Sequence, residues 1–249
     1  MGTSVQNSIP RRDPALVMRL SRLGSMHQCR LSFMRVLTRR LAKENWIFAR
    51  PVFDVDAKGV GHAVYTATGP ARTYSLVAFA HDLPAEMRSD RVIAEAWDAT
   101  FTLFDGVPDA GDIARLSQNV PLQEAGRVRE SELSLSRANR SVRLWKHVVD
   151  ALAAGQQPDP EQLASVGYLM RTTAVYGSGK FGAADRELIA DRPEFAAPFQ
   201  VEMLSVFLTR AFVLDLVEYA AQNQGGDTAV RLDPKVARDL GIGNSTGLG

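Results

Sequence analysis

Apolar positions change period along this chain, and each change marks an element. Leu16, Leu20, Leu23, His27, Met34, Leu37 and Leu41 stand three, four or seven residues apart behind Asp13-Pro14, an N-cap and first-turn proline. This spacing predicts an amphipathic helix reaching about Lys43. From Trp46 the period falls to two. Residues 46–56, 60–68 and 72–81 alternate or run β-branched and aromatic, with Lys58-Gly59 and Gly69-Pro70 as turns between them. Residues 91–104 supply a fourth strand, with Ile93, Trp97, Phe101 and Leu103 on one face, although helix is the rival reading there.

Beyond Asp105-Gly106 the pattern turns helical. Helices are predicted over 109–117, over 129–154 up to Gly155, and from Pro160-Glu161 to about Val175, where glycines 177, 179 and 182 stop the run. Another helix extends from Phe195 to about Asn223, and a short one begins at Asp233-Pro234 and halts at Gly241. The 195–223 segment is apolar around most of its circumference, which places it at the centre of a bundle. The expected fold is α+β in a single domain over 1–249. It comprises a basic N-terminal helix (1–45), a four-stranded antiparallel meander (about 46–104, within 46–106) and a helical half (107–249).

Composition changes this picture in three ways. Cys29 is the only cysteine, so no intrachain disulfide or multi-cysteine zinc site can form, and a reducing, cytoplasmic setting is expected. The most apolar stretch, 199–217, is interrupted by Glu202, Arg210 and Asp215, which predicts a buried helix and no membrane span. The overall charge of +1 conceals a basic head, since residues 1–45 hold nine Lys and Arg against Asp13 and Glu44. Arg19, Arg22, Arg30, Arg35, Arg39, Arg40 and Lys43 form the polar face of the first helix, which suits an acidic partner. No aromatics interleave with these cations, so nucleic acid is disfavoured.

Candidate chemistry concentrates where the 160–175 helix should end. Arg171, Thr172, Thr173, Tyr176, Ser178 and Lys180 surround three glycines, a composition that can cradle an anion with backbone N–H groups, hydroxyls and cations. The spacing Gly177-Ser-Gly-Lys-Phe is not that of a P-loop, and Phe181 replaces the metal-binding hydroxyl. The plainer reading is a helix C-cap followed by a tight turn. A second glycine-hydroxyl segment, with Asn244, Ser245 and Thr246, is expected to converge on the same anion. It belongs either to a natural tail or to a polypeptide that continues past residue 249.

His62 and His81, on neighbouring predicted strands, are candidates for proton transfer, with Lys180 neutralising developing charge. With Glu95 they could also hold a metal, but no ligand spacing assigns one, and no cofactor is indicated. No nucleophile stands out. The reading that follows is a pocket protein, an enzyme by its candidate groups, acting on a small phosphate- or carboxylate-bearing molecule. The alternative is a non-enzymatic protein that docks an acidic partner or polyanion through its basic helix. A homo-oligomeric structural subunit is the third reading.

Overall fold

Nine residues from Ile47 form a strand, bulged between Ala49 and Val52, and they open a sheet that continues well past the predicted meander. In a computed structural model, residues 28–84, 98–118, 129–177, 189–195 and 198–244 are described; for 28–35, 172–177, 198–199, 238–239 and 241–244 this covers the backbone only. Helix α1 (Gln28–Lys43) leads into β1 (Ile47–Val55), β2 (Gly61–Thr68), β3 (Thr73–Ala80) and β4 (Ala99–Asp105). After α2 (Ala110–Leu116) come β5 (Glu132–Arg140), α3 (Trp145–Ala153), α4 (Pro160–Val166) and β6 (Tyr168–Gly177). The chain finishes with α5 (Pro198–Gly225), a 3₁₀ turn, α6 (Pro234–Asp239) and β7 (Gly241–Asn244).

The strands form one curled sheet in the order β1 to β7, antiparallel through β6, with β7 parallel to β6. The α+β class, the first three strands and the turns between them match expectation. Four differences have local causes. The predicted 129–154 helix is strand β5 followed by α3. Glu-Leu-Ser-Leu-Ser alternates at the strand period, and a bulge at Leu133, facing Leu103–Phe104, shifts its phase and disguises that alternation. The predicted 160–175 helix ends at Val166, because Gly167 takes φ 72° as an αL cap, and the following β-branched and aromatic residues form β6. Residues 241–244 form a strand where only a helix stop was expected. The fourth strand starts at Ala99, whereas 91–97 lie outside the described residues. So does the first half of the predicted N-terminal helix.

The 28-residue helix α5 is central, as its all-round apolarity predicted, but it lies in the trough of the curled sheet and not within a helical bundle. Inward residues of successive strands, Tyr65, Tyr74, Leu76, Phe101 and Leu103, join Leu204, Phe207, Phe212 and Val217 of α5 in one core. Phe212 is fully buried, edge-on to both Tyr65 and Phe101 at centroid distances of 6.3 and 5.7 Å. Burying each such side chain stabilises the fold by about 1.5–3 kcal/mol. On the outer face, Val77, Phe79 and Phe104 pack under Ile113 and Leu116 of α2, with Glu132 fully buried against Arg115. Asp109 fixes the start of α2 through a reciprocal capping box with Asp112. Among the described residues no helix is long and apolar enough to cross a membrane.

Candidate functional site

Among the described residues α5 fills the trough, so the polar side chains considered for a site are those of the outer face of the sheet and its ends. Cross-strand register identifies the polar part of that outer face. Ala80, Ala99 and Ala138 point inward in one row, so the rows on either side point outward. One outward row runs His62, Phe79, Thr100 and Arg137 across β2 to β5, with Thr173 the register partner of Arg137 on β6. The other begins at His81, whose backbone N–H donates to the Asp98 carbonyl at 2.6 Å, and continues through Asn139 and Arg171.

Arg137 and Arg171 are therefore diagonal neighbours on adjacent strands, with Cα atoms about 7–8 Å apart. Arg140, in register with the core residue Met170, belongs to the opposite face and reaches the rim from there. It donates to the His81 carbonyl at 3.1 Å and lies over the Trp145 ring at 5.1 Å. The β1–β2 turn approaches it so closely that a side chain at Gly59, φ +80°, would sit 3.9 Å from its Nη2. Asp98 is fully buried, and one of its carboxylate oxygens accepts the Arg140 backbone N–H at 2.7 Å. Asp82, exposed beside His81, is the other carboxylate near this rim. Burial, and then the Arg140 charge, holds the His81 imidazole below its ordinary value, which favours its neutral form. Arg137 and Arg171 can together hold an anion, with the His81 imidazole further along the same end of the sheet.

Of the residues predicted from sequence, His81 and Arg171 share one row and one end of the sheet, about three strand spacings or 14 Å apart. His62 lies in the next row, its ring 6.2 Å from that of Phe79, two strands further from Arg171 than the sheet centre. Thr172 and Thr173 belong to β6, with Thr172 in register with Asn244 of β7. Tyr176 pairs with Leu135. The two segments expected to close separate helices are thus adjacent strands. Ser178, Lys180, Glu95, Ser245 and Thr246 lie outside the described residues. Among the described residues no group of three or more His, Cys, Asp or Glu could hold a metal.

Thr100, Asp98 and Asn139 were not singled out from sequence, and Arg137 and Arg140 were assigned to a helix. The Leu-Ser alternation at 133–136 was the signal that places Arg137 and Asn139 together on one strand face. Comparison with family profiles, curated proteins and solved structures finds no match.

Two other charged clusters serve the fold. Asp215 of α5 accepts from the Tyr65 hydroxyl at 2.6 Å and from Arg50 at 2.9 Å inside the core. At the opposite end of the sheet from the arginines, Tyr74 donates to Glu194 while Arg72 and Arg192 bridge Asp105 and Asp191, which fastens residues 189–195 over the core. Burial and the Glu194 hydrogen bond raise the Tyr74 phenol above its ordinary range.

Proposed function

We propose that this protein binds a small phosphate- or carboxylate-bearing organic molecule on the outer face of β4 to β6, and acts on it with His81 as the proton-handling group. One observation carries the reading: Arg137 and Arg171 stand diagonally on the same half-buried sheet face. Two guanidiniums at that spacing can both donate to one bridging anion through charge-assisted contacts. The neutral imidazole of His81 supports a role in proton transfer, since it can accept a proton near pH 7.

The test is the melting temperature of the full chain with inorganic phosphate, citrate or glycerol 3-phosphate. An anion at a hundred times its Kd should stabilise by about 2.7 kcal/mol, or about 5 °C for a chain of this size. The rise should vanish in Arg137→Gln and Arg171→Gln and persist in Arg143→Gln, an exposed control. A rise of equal size in all three variants would overturn the assignment.

A second reading rests on α1, which buries Leu37 and Leu41 while leaving Val36, Arg39 and Lys43 outside. This basic strip would dock an acidic partner. Steep salt dependence of such binding, weakened by Arg39→Glu but not by Arg171→Gln, would favour it.

A further inference from the structure

Residues 189–195 lie over the core without being part of the sheet. Their backbone hydrogen bonds close within the segment, from the Arg192 N–H to the Ile189 carbonyl at 2.9 Å and from the Phe195 N–H to the Arg192 carbonyl at 3.0 Å. Among the described residues their ties to the sheet run through side chains. Ile189 and Phe195 are buried at the two ends, with the Phe195 ring 5.1 Å from that of Tyr74. Between them stands a closed ring of alternating charges. Arg72, in the turn between β2 and β3, meets Asp105 at 3.3 Å and Asp191 at 3.0 Å, and Arg192 meets the same two carboxylates at 2.7 and 2.8 Å. Arg72 and Asp105 belong to the sheet, Asp191 and Arg192 to the segment, so the Arg72–Asp191 and Arg192–Asp105 pairs join the two. Glu194 lies beneath, accepting from the Tyr74 hydroxyl.

Such an attachment can part from the fold. Lifting the segment breaks no backbone ladder of the sheet. It breaks the two crossing ion pairs and the Tyr74–Glu194 hydrogen bond, and it uncovers two apolar side chains. The Asp191 side chain is 67% exposed and that of Arg72 29%, so counter-ions reach the ring and weaken it as ionic strength rises. Strand β3 beneath is instead paired on both sides, with β2 and β4. We infer that residues 189–195 form an ionic clasp, which opens as a unit while the sheet stays folded, and that opening bares the Tyr74 end of the trough. The salt concentration around the molecule sets how often this happens. Once undocked, so short a turn cannot keep its internal hydrogen bonds, so the Arg192 and Phe195 amides register each opening. The inference does not depend on the anion site.

Hydrogen exchange of the full chain, followed amide by amide by NMR, tests it. In the wild type the Arg192 and Phe195 amides should exchange about a hundredfold or more faster than those of β3, as local opening demands. Raising sodium chloride from about 0.05 to about 1 M should speed them about threefold or more. Asp191→Asn, at an exposed position, should speed them about three- to thirtyfold, the worth of two part-exposed ion pairs. Tyr65→Phe loosens the core on the far side of α5 by one hydrogen bond, and should speed the β3 amides about fivefold while leaving Arg192 and Phe195 as they were.

Arg192 and Phe195 amides that exchange as slowly as β3, or that quicken with it in Tyr65→Phe, would show that the segment parts only when the whole fold does, and would overturn the inference. Exchange indifferent to salt and to Asp191→Asn would overturn it too, since the charges would then not be what holds the clasp shut.

Discussion

Removing the Asp215 carboxylate should be among the most damaging single changes in this chain. The carboxylate sits on the central helix α5 and accepts from Tyr65 and Arg50, whose guanidinium also lies 4.8 Å from the Phe53 ring. The Arg50 and Asp215 side chains are only 10% and 8% exposed. Asp215→Ala takes the counter-charge from a guanidinium that stays in the core and removes the Tyr65 hydroxyl's acceptor. Breaking a buried pair from one side costs about 3–5 kcal/mol. Unfolding a chain of this length releases about 0.5 kcal/mol per degree, so a loss near 4 kcal/mol lowers Tm by about 8 °C. Tyr65→Phe removes one hydrogen bond, about 1 kcal/mol, and should lower it by only about 2 °C. The decisive variant replaces the whole group: Arg50→Met/Tyr65→Phe/Asp215→Leu should recover at least half of the Asp215→Ala loss, because no charge is left buried. Differential scanning calorimetry gives all three values. A triple variant melting no higher than Asp215→Ala, or Asp215→Ala melting like Tyr65→Phe, would refute the reasoning.

Two further outcomes follow from the geometry. His81 is held below its ordinary value of 6.5 when folded, so the unfolded chain takes up its proton first. Its contribution should be intact above pH 6.5 and fall as pH drops toward the folded value. Arg140, Asp98 and Asp82 are the charges around it, and urea midpoints at pH 7.5 and 5 should differ less in His81→Gln than in wild type. Gly225, at the end of α5, leaves no room for a Cβ, which would drive into the Ala153 backbone. Gly225→Ala should cost about 2–3 kcal/mol, whereas Gly226→Ala, with open space around it and only a positive φ of 55° to hold, should cost about 1 kcal/mol.

The parts of the fold that were legible are those whose signal is local. Alternation from Ile47 to Ala80 with Gly-containing turns gave three strands, Asp109 and the Asp-Pro pairs at 159 and 233 gave helix starts, and the apolar girth of 198–225 gave the central helix. What stayed hidden depends on partners distant in sequence. Leu133 joins the core only because a bulge turns it inward, so the spacing of apolar residues in β5 obeys neither period cleanly. Gly241-Ile-Gly-Asn becomes a strand by pairing with β6, some seventy residues earlier, and nothing within it favours extended structure. The candidate site shared that fate. Arg171 was visible as a cation near glycines, but its neighbours Arg137, Asn139 and Thr100 become neighbours only through the register of three strands.

The placement of α5 also sets the order in which the molecule can be made. Strands β1 to β3 are complete by Ala80, yet the helix that occupies their hollow is not finished until Gly225. At ordinary synthesis rates roughly 10–30 s separate the two. During that interval Tyr65, Tyr74 and Leu76 have no core to enter, and the growing sheet presents a greasy, half-closed gutter to the ribosome's surroundings. The core beneath these strands can therefore close only once α5 has been made.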